Sequence, residues 1–196
     1  MKLLKILLEQ EKILVPSRIK GRAEKYELGT QKKIQQYIEN GSEGDLNLLG
    51  TPIKSLPDNL KSVGGNLELG GTSITSLPDN LEYIGGSLHL EASKITTLPN
   101  NLKVGGSVLL SFSAIKSLPD NFKVGKELSL MVTPLTSLPD NLEVGKNLFL
   151  QRTPITSLPH NLKVRGFLAI GDTPLAKKYT EKEIRNLADI GGKIYR

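Results

Sequence analysis

Hydrophobic and polar positions follow one pattern from residue 45 to residue 175, and the pattern returns every 20 or 21 residues. In Leu67-Glu68-Leu69 two apolar residues flank a polar one, the period of a short strand with one buried face. Ile74 and Leu77 then point back inward after a turn, Pro78 fixes a backbone angle, and Leu81 and Ile84 close the unit on its far side. The apolar pairs begin at Leu46, Leu67, Leu88, Val108, Leu128, Leu148 and Leu168, and Leu-Pro pairs follow at Leu56, Leu77, Leu98, Leu118, Leu138 and Leu158. The spacing is 21 residues twice and 20 thereafter, with Ser62 and Tyr83 each standing as one extra residue before a Val-Gly or Ile-Gly. No unit of this length can bury its own apolar residues, so neighbouring coils must stack into a continuous core. Each coil gives one strand to a parallel sheet, because the return segment is long enough to bring the chain round in the same direction.

Just after each strand stand Thr51, Thr72, Ser93, Ser113, Thr133, Thr153 and Thr173. A hydroxyl there can hydrogen-bond backbone groups in the tight turn between neighbouring coils, which reads as a structural ladder rather than a row of nucleophiles. The ordered set Leu67, Leu69, Thr72, Ile74, Leu77 and Pro78, repeated in the following coils, resembles the leucine-rich repeat family. The match is to its short bacterial form, with the unit Leu-x-x-Leu-x-Val-x-x-Asn-x-Leu-x-x-Leu-Pro. Two departures are regular. Thr or Ser stands where the family usually has Asn, and glycine pairs such as Gly64-Gly65, Gly85-Gly86 and Gly105-Gly106 precede several strands. The pattern is also similar to uncharacterised repeat proteins of bacterial viruses. The resemblance implies an α/β solenoid with short parallel strands on a concave face, a mostly extended or irregular convex side, and helical flanks. It implies a binding scaffold and leaves the ligand unnamed.

Three regions follow. Residues 1–44 form an N-terminal helical flank or cap, residues 45–175 a solenoid of about seven repeats with the last incomplete, and residues 176–196 a C-terminal helical cap. In the first, Leu3, Leu4, Leu7 and Leu8 sit at helical spacing until Val15-Pro16 stops the helix. A second helix is expected after Thr30, through Ile34, Tyr37 and Ile38 to a cap at Asn40-Gly41. In the last, Thr180 and Glu183 have the spacing of a capping box, and Ile184, Leu187 and Ile190 give an apolar stripe. A solenoid exposes apolar area at both ends, so these helices read first as caps. The alternative is a structural or assembly protein, including a viral particle component, that docks through them.

No run of apolar residues is long enough to span a bilayer, and no membrane association is expected. The Met1-Lys2-Leu3-Leu4 start is interrupted by Lys5, Glu9, Glu11 and Lys12 with no small-residue cleavage site after it, which points to the cytoplasm, or to a virion for a viral chain. There is no cysteine, hence no disulfide, thiolate metal site or cysteine nucleophile. No counterpart of the cysteine-dependent ubiquitin ligase domain of some secreted bacterial repeat proteins is therefore expected in these residues. The net charge of +6 arises outside the repeats, since residues 45–175 hold 11 basic and 11 acidic residues. Nucleic acid is thus not expected along the solenoid. The cluster Arg18, Lys20, Arg22 and Lys25 in the N-terminal flank could meet phosphate or an acidic protein, although a solvated charged loop is the simpler reading.

Candidate chemistry is sparse, and neither an enzyme nor a cofactor is expected. His89 and His160 fall at different phases of the repeat, one in a strand and one in a turn, so they do not share a metal. Glu68, His89 and Glu91 could cluster on the sheet face, where solvent-facing residues are the plain alternative to a cation or acid-base site. Function is better sought where the repeat varies. The outward position between the paired apolar residues reads Asn47, Glu68, His89, Leu109, Ser129, Phe149 and Ala169. Two residues later come Leu49, Gly70, Glu91, Ser111, Met131, Gln151 and Gly171, and the next position includes Phe112, Val132 and Arg152. Leu109, Phe112, Met131, Val132 and Phe149 thus fall on or beside one face, with Arg152, His89 and Glu91 as polar neighbours. An apolar group in a polar column suggests a protein partner. The competing reading has Phe112 and Val132 turned inward to thicken the core.

Overall fold

The computed structural model describes residues 22–196. The Leu-x-Leu segments become two-residue strands, from Leu46–Asn47 through Leu67–Glu68, Leu88–His89, Val108–Leu109, Leu128–Ser129 and Leu148–Phe149 to Leu168–Ala169 and Ile194–Tyr195. They lie side by side in chain order as an eight-stranded parallel sheet, the first sheet. Register is one coil per step: Leu67 pairs with Leu88, Leu88 with Val108, and Val108 with Leu128. Pairing continues past the strand, where the Leu69 N–H donates to the His89 carbonyl and the Leu110 N–H to that of Ser129, both at 2.8 Å. Leu67, Leu69, Leu88, Leu90, Val108 and Leu110 are fully buried, as period-2 alternation requires. Leu77, Leu98, Leu118 and Leu138 form the expected inner ridge, each 4 to 7% exposed.

The opposite side is more regular than an extended or irregular return. Ser62–Val63, Tyr83–Ile84, Lys103–Val104, Lys123–Val124, Glu143–Val144, Lys163–Val164 and Asp189–Ile190 pair into a second, seven-stranded parallel sheet. Its register aligns Tyr83 with Lys103, so the extra residue of the 21-residue coils is absorbed one step earlier, between Leu81 and Tyr83. Glycine follows six of these seven strands, with Arg165 after Lys163–Val164, and the preference has a steric cause. A Cβ on Gly125 would lie 2.1 Å from the Gly105 carbonyl oxygen, closer than any side chain tolerates.

Hydroxyls after the strands bond within their own coil rather than across coils. Thr72 Oγ1 donates to the Leu69 carbonyl at 2.7 Å, and Thr133, Thr153 and Thr173 repeat the contact to Leu130, Leu150 and Ile170. Coils are tied together by another side-chain ladder, just ahead of the first sheet. Asp45 Oδ1 accepts from the Asn66 N–H, Asn66 Oδ1 from the Ser87 N–H, and Ser87 Oγ from the Ser107 N–H, at 2.6, 2.7 and 3.0 Å.

Helix α1 spans Arg22–Glu39 and so begins eight residues before Thr30, in turns built from Ala, Glu and Lys, which favour helix without an apolar stripe. It ends as expected, with Gly41 at φ 86° and the Ser42 N–H donating to the Tyr37 carbonyl. Ile34 is fully buried, and the Tyr37 hydroxyl lies 2.7 Å from the Ser42 carbonyl oxygen and 2.9 Å from that of Gly44. The helix expected around Leu3–Leu14, its stop at Val15-Pro16, and Arg18 and Lys20 lie outside the described residues. At the other end come α2 (Pro174–Lys178) and α3 (Glu181–Leu187), the latter opened by the Thr180–Glu183 capping box. Ile184 is buried from α3, but Ile190 belongs to the last strand of the second sheet instead of the helix. The chain after α3 completes a further coil, since Lys163 pairs with Asp189 and Leu168 with Ile194.

Candidate protein-binding face

The outer side of the first sheet presents Asn47, Glu68, His89, Leu109, Ser129, Phe149 and Ala169 in one register column, continued by Tyr195. In its middle, Leu109, Met131 and Phe149 are half-buried among their neighbours. Ser129, between Leu109 and Phe149, is covered to 8% exposure, and its Oγ lies 2.7 Å from Ser111 Oγ.

Phe112, Val132 and Arg152 belong to a column held in the left-handed backbone region. It runs Gly50 (φ 63°), Gly71 (66°), Ala92 (53°), Phe112 (61°), Val132 (55°), Arg152 (57°) and Asp172 (60°). The conformation is pinned because each N–H from Gly50 to Arg152 donates to the next coil, Phe112 to the Met131 carbonyl at 2.9 Å and Val132 to that of Gln151 at 3.0 Å. Glycine suits such a position, and a bulky or β-branched residue is an outlier there. The same backbone turns the side chain away from the core. Phe112 is 63% exposed and does not thicken the core, while Val132 is half-buried. Arg152 lies on the rim with its Nε 3.4 Å from Asp172 Oδ2, both side chains largely in solvent.

Toward the N-terminal end the face turns acidic. His89 Nδ1 lies 3.3 Å from Glu68 Oε2 and 3.9 Å from Glu91 Oε1, so the trio does come together. These groups line an open depression with Leu49, Gly50, Gly70 and Gly71, and Leu49 is 62% exposed. The missing side chain at Gly70 opens the floor, since a Cβ there would stand 3.0 Å from Leu49 Cδ1. Among the described residues no group of His, Asp or Glu is placed to hold a metal ion. His160 is exposed in a turn, away from the trio.

Toward the C-terminal end the face is aromatic. The Phe149 and Phe167 rings meet edge to face with centroids 5.2 Å apart, and Phe167 meets Tyr195 in the same way at 5.2 Å. Sequence reasoning missed Phe167 and Tyr195. Phe167 occupies the position that holds Asp45, Asn66, Ser87, Ser107, Glu127 and Asn147 in earlier coils, so one apolar residue in that polar column was the available signal. Gly192-Lys193-Ile194-Tyr195 likewise repeats the Gly-x-Leu-x start of a coil. Nearby, Gln151 Oε1 is buried and has no hydrogen-bond donor among the described residues.

The second sheet offers a weaker surface. Its groove carries Lys103, Lys123, Lys163 and Arg165 against Glu82, Asp120, Glu143 and Asp189, with Lys123 Nζ 3.2 Å from Glu143 Oε1. The two signs cancel, so no basic track forms there.

Neither protein-family models nor curated proteins give a match to this sequence. Among solved structures the chain is similar to the LRR domain of a Shigella effector, with a TM-score of 0.57 and 20% identity, over 99% of this chain and 96% of that one. At this identity the likeness is one of fold. The fold is a leucine-rich repeat solenoid of parallel strands flanked by helices, an architecture commonly used as a protein-interaction scaffold. Among the described residues no helix is long and apolar enough to cross a membrane.

Proposed function

We infer that this protein is a noncatalytic protein-binding scaffold that uses the outer face of the first sheet. The observation that carries the reading is Phe112. It is 63% exposed at φ 61°, in a column where glycine serves the first two coils. Neither core packing nor backbone preference favours a phenylalanine there, whereas a partner's surface would. Leu109, Met131, Val132 and Phe149 extend the same apolar area, Arg152 sits at its rim, and His89 and Glu91 bound it on the N-terminal side. Large apolar and aromatic side chains on a preformed surface are the usual anchors of protein interfaces.

Replacing Leu109, Met131 and Phe149 together by Ser tests the reading. An affinity pull-down from the native source should lose its specific partner while the circular dichroism spectrum and melting temperature stay close to those of the parent. Unfolding of the triple variant would show those side chains to be core and remove the motive for the proposal. Docking through the terminal helices has less support, because Ile34 of α1 and Ile184 of α3 are buried against the solenoid.

A further inference from the structure

Resting on that reading, we propose that the first sheet's outer face takes an extended segment of a protein partner along the solenoid axis, with a Lys or Arg seated in the depression lined by Glu68, Glu91 and Leu49 and a large apolar or aromatic residue at Met131, Phe149 and Phe167.

The charge of the face selects the first residue. Glu68 and Glu91 bring two carboxylates to one depression, with a single imidazole between them and Leu49 forming an exposed apolar wall. A hydrated metal ion has no use for such a wall. A lysine or arginine matches both parts, since its alkyl stem covers apolar surface while its head meets the carboxylates. Lys33, at this end of the face, is already engaged, with its Nζ bonded to the Asn47 backbone carbonyl at 2.6 Å. Farther along, Phe149, Phe167 and Tyr195 form an edge-to-face row.

The strand spacing sets the distance between the two requirements. Glu68 and Glu91 belong to the second and third coils and Phe149 to the sixth, a separation of three to four strand spacings. At about 4.8 Å per strand this is about 14 to 19 Å, which an extended chain covers in about four to six residues. Leu109 and Ser129 lie between and accept an apolar or small polar residue. A segment laid this way crosses strands instead of adding one, so side chains rather than ladder bonds carry its specificity.

A display library of random twelve-residue peptides panned on the full chain, followed by titration of synthetic peptides, tests the proposal. Enriched peptides should carry Lys or Arg four to six positions from an aromatic or large aliphatic residue. Glu68→Gln with Glu91→Gln should weaken them about 5- to 10-fold, less in high salt, the scale of two part-exposed ion pairs. Changing the peptide's cation to Gln should give the same loss, and the two changes together should give no more. Binding that ignores the Glu variants but is lost in the Leu109, Met131 and Phe149 triple variant would overturn the charge pairing and leave the scaffold reading standing. Binding indifferent to both sets, or no enrichment at all, would overturn both.

Discussion

Phe112→Gly separates the cost of a residue to the fold from its value to a partner. A non-glycine residue in the left-handed region costs about 1 to 2 kcal/mol, and glycine gives back about 0.5 to 1 kcal/mol of that in backbone entropy lost on folding. Full burial of a phenylalanine contributes about 1.5 to 3 kcal/mol, of which a side chain left 63% exposed realises roughly a third. The N–H bond to the Met131 carbonyl survives the change. The three contributions nearly cancel, so Phe112→Gly should unfold within about 1 kcal/mol of the parent while partner binding drops. Phe122→Ala is the contrast: Phe122 is 3% exposed and its truncation should cost about 3 to 5 kcal/mol. Urea titrations followed by circular dichroism, run side by side, read both. A loss above about 2 kcal/mol for Phe112→Gly would mean that its side chain is packed in the folded protein, and the reason for calling it a contact residue would be gone.

Leu118→Ala, in the middle of the inner ridge, should cost about 2 to 4 kcal/mol and split the melt into more than one step. Exposed Ser117→Ala is the proper control, since Ser129 is covered and bonded to Ser111. Gly125→Ala places a Cβ 2.1 Å from the Gly105 carbonyl and should destabilise by about 1 to 3 kcal/mol, with faster amide exchange at Gly125 and Gly145. Tyr37→Phe removes a hydroxyl shared by Ser42, Gly44 and the Gly64 N–H, and should cost about 1 to 2 kcal/mol in a thermal melt. Hydrogen bonds from the Thr180 N–H and then its hydroxyl lower the Glu183 carboxyl below its ordinary 4.5, so its contribution is present above that pH and is lost as pH falls through the lowered value. The gap in melting temperature between wild type and Glu183→Ala should therefore close in acid and hold at neutral pH.

The first sheet was legible in the sequence because its signal repeats: Leu67, Leu88, Val108 and Leu128 recur in phase and pair in that register. The second sheet was not, because a strand such as Lys103–Val104 carries one buried residue followed by glycine, so the second apolar position that marks Leu67-Glu68-Leu69 is missing. The final coil was hidden by α2 and α3, which lengthen the step from Leu168 to its partner Ile194 beyond the 20-residue spacing. On the face, the positions of Leu109 and Phe149 followed from repeat phase alone. Phe112 could not be oriented in that way, since the sign of its φ is set by the pairing of its N–H with the next coil. Gly50 and Gly71, earlier in the same column, held the hint.

Because the inner coils from Val108 to Leu168 share one 20-residue step and one pattern of joints, they are interchangeable parts. Duplicating or deleting one such block by unequal recombination would preserve every junction. Each event would move the aromatic end of the face relative to the acidic end by one strand, about 4.8 Å. The first coils lack this freedom, as their 21-residue step carries a differently placed extra residue. Descendants of this gene can therefore lengthen or shorten what they grip in whole-strand increments, holding one end of the surface fixed while the other is moved.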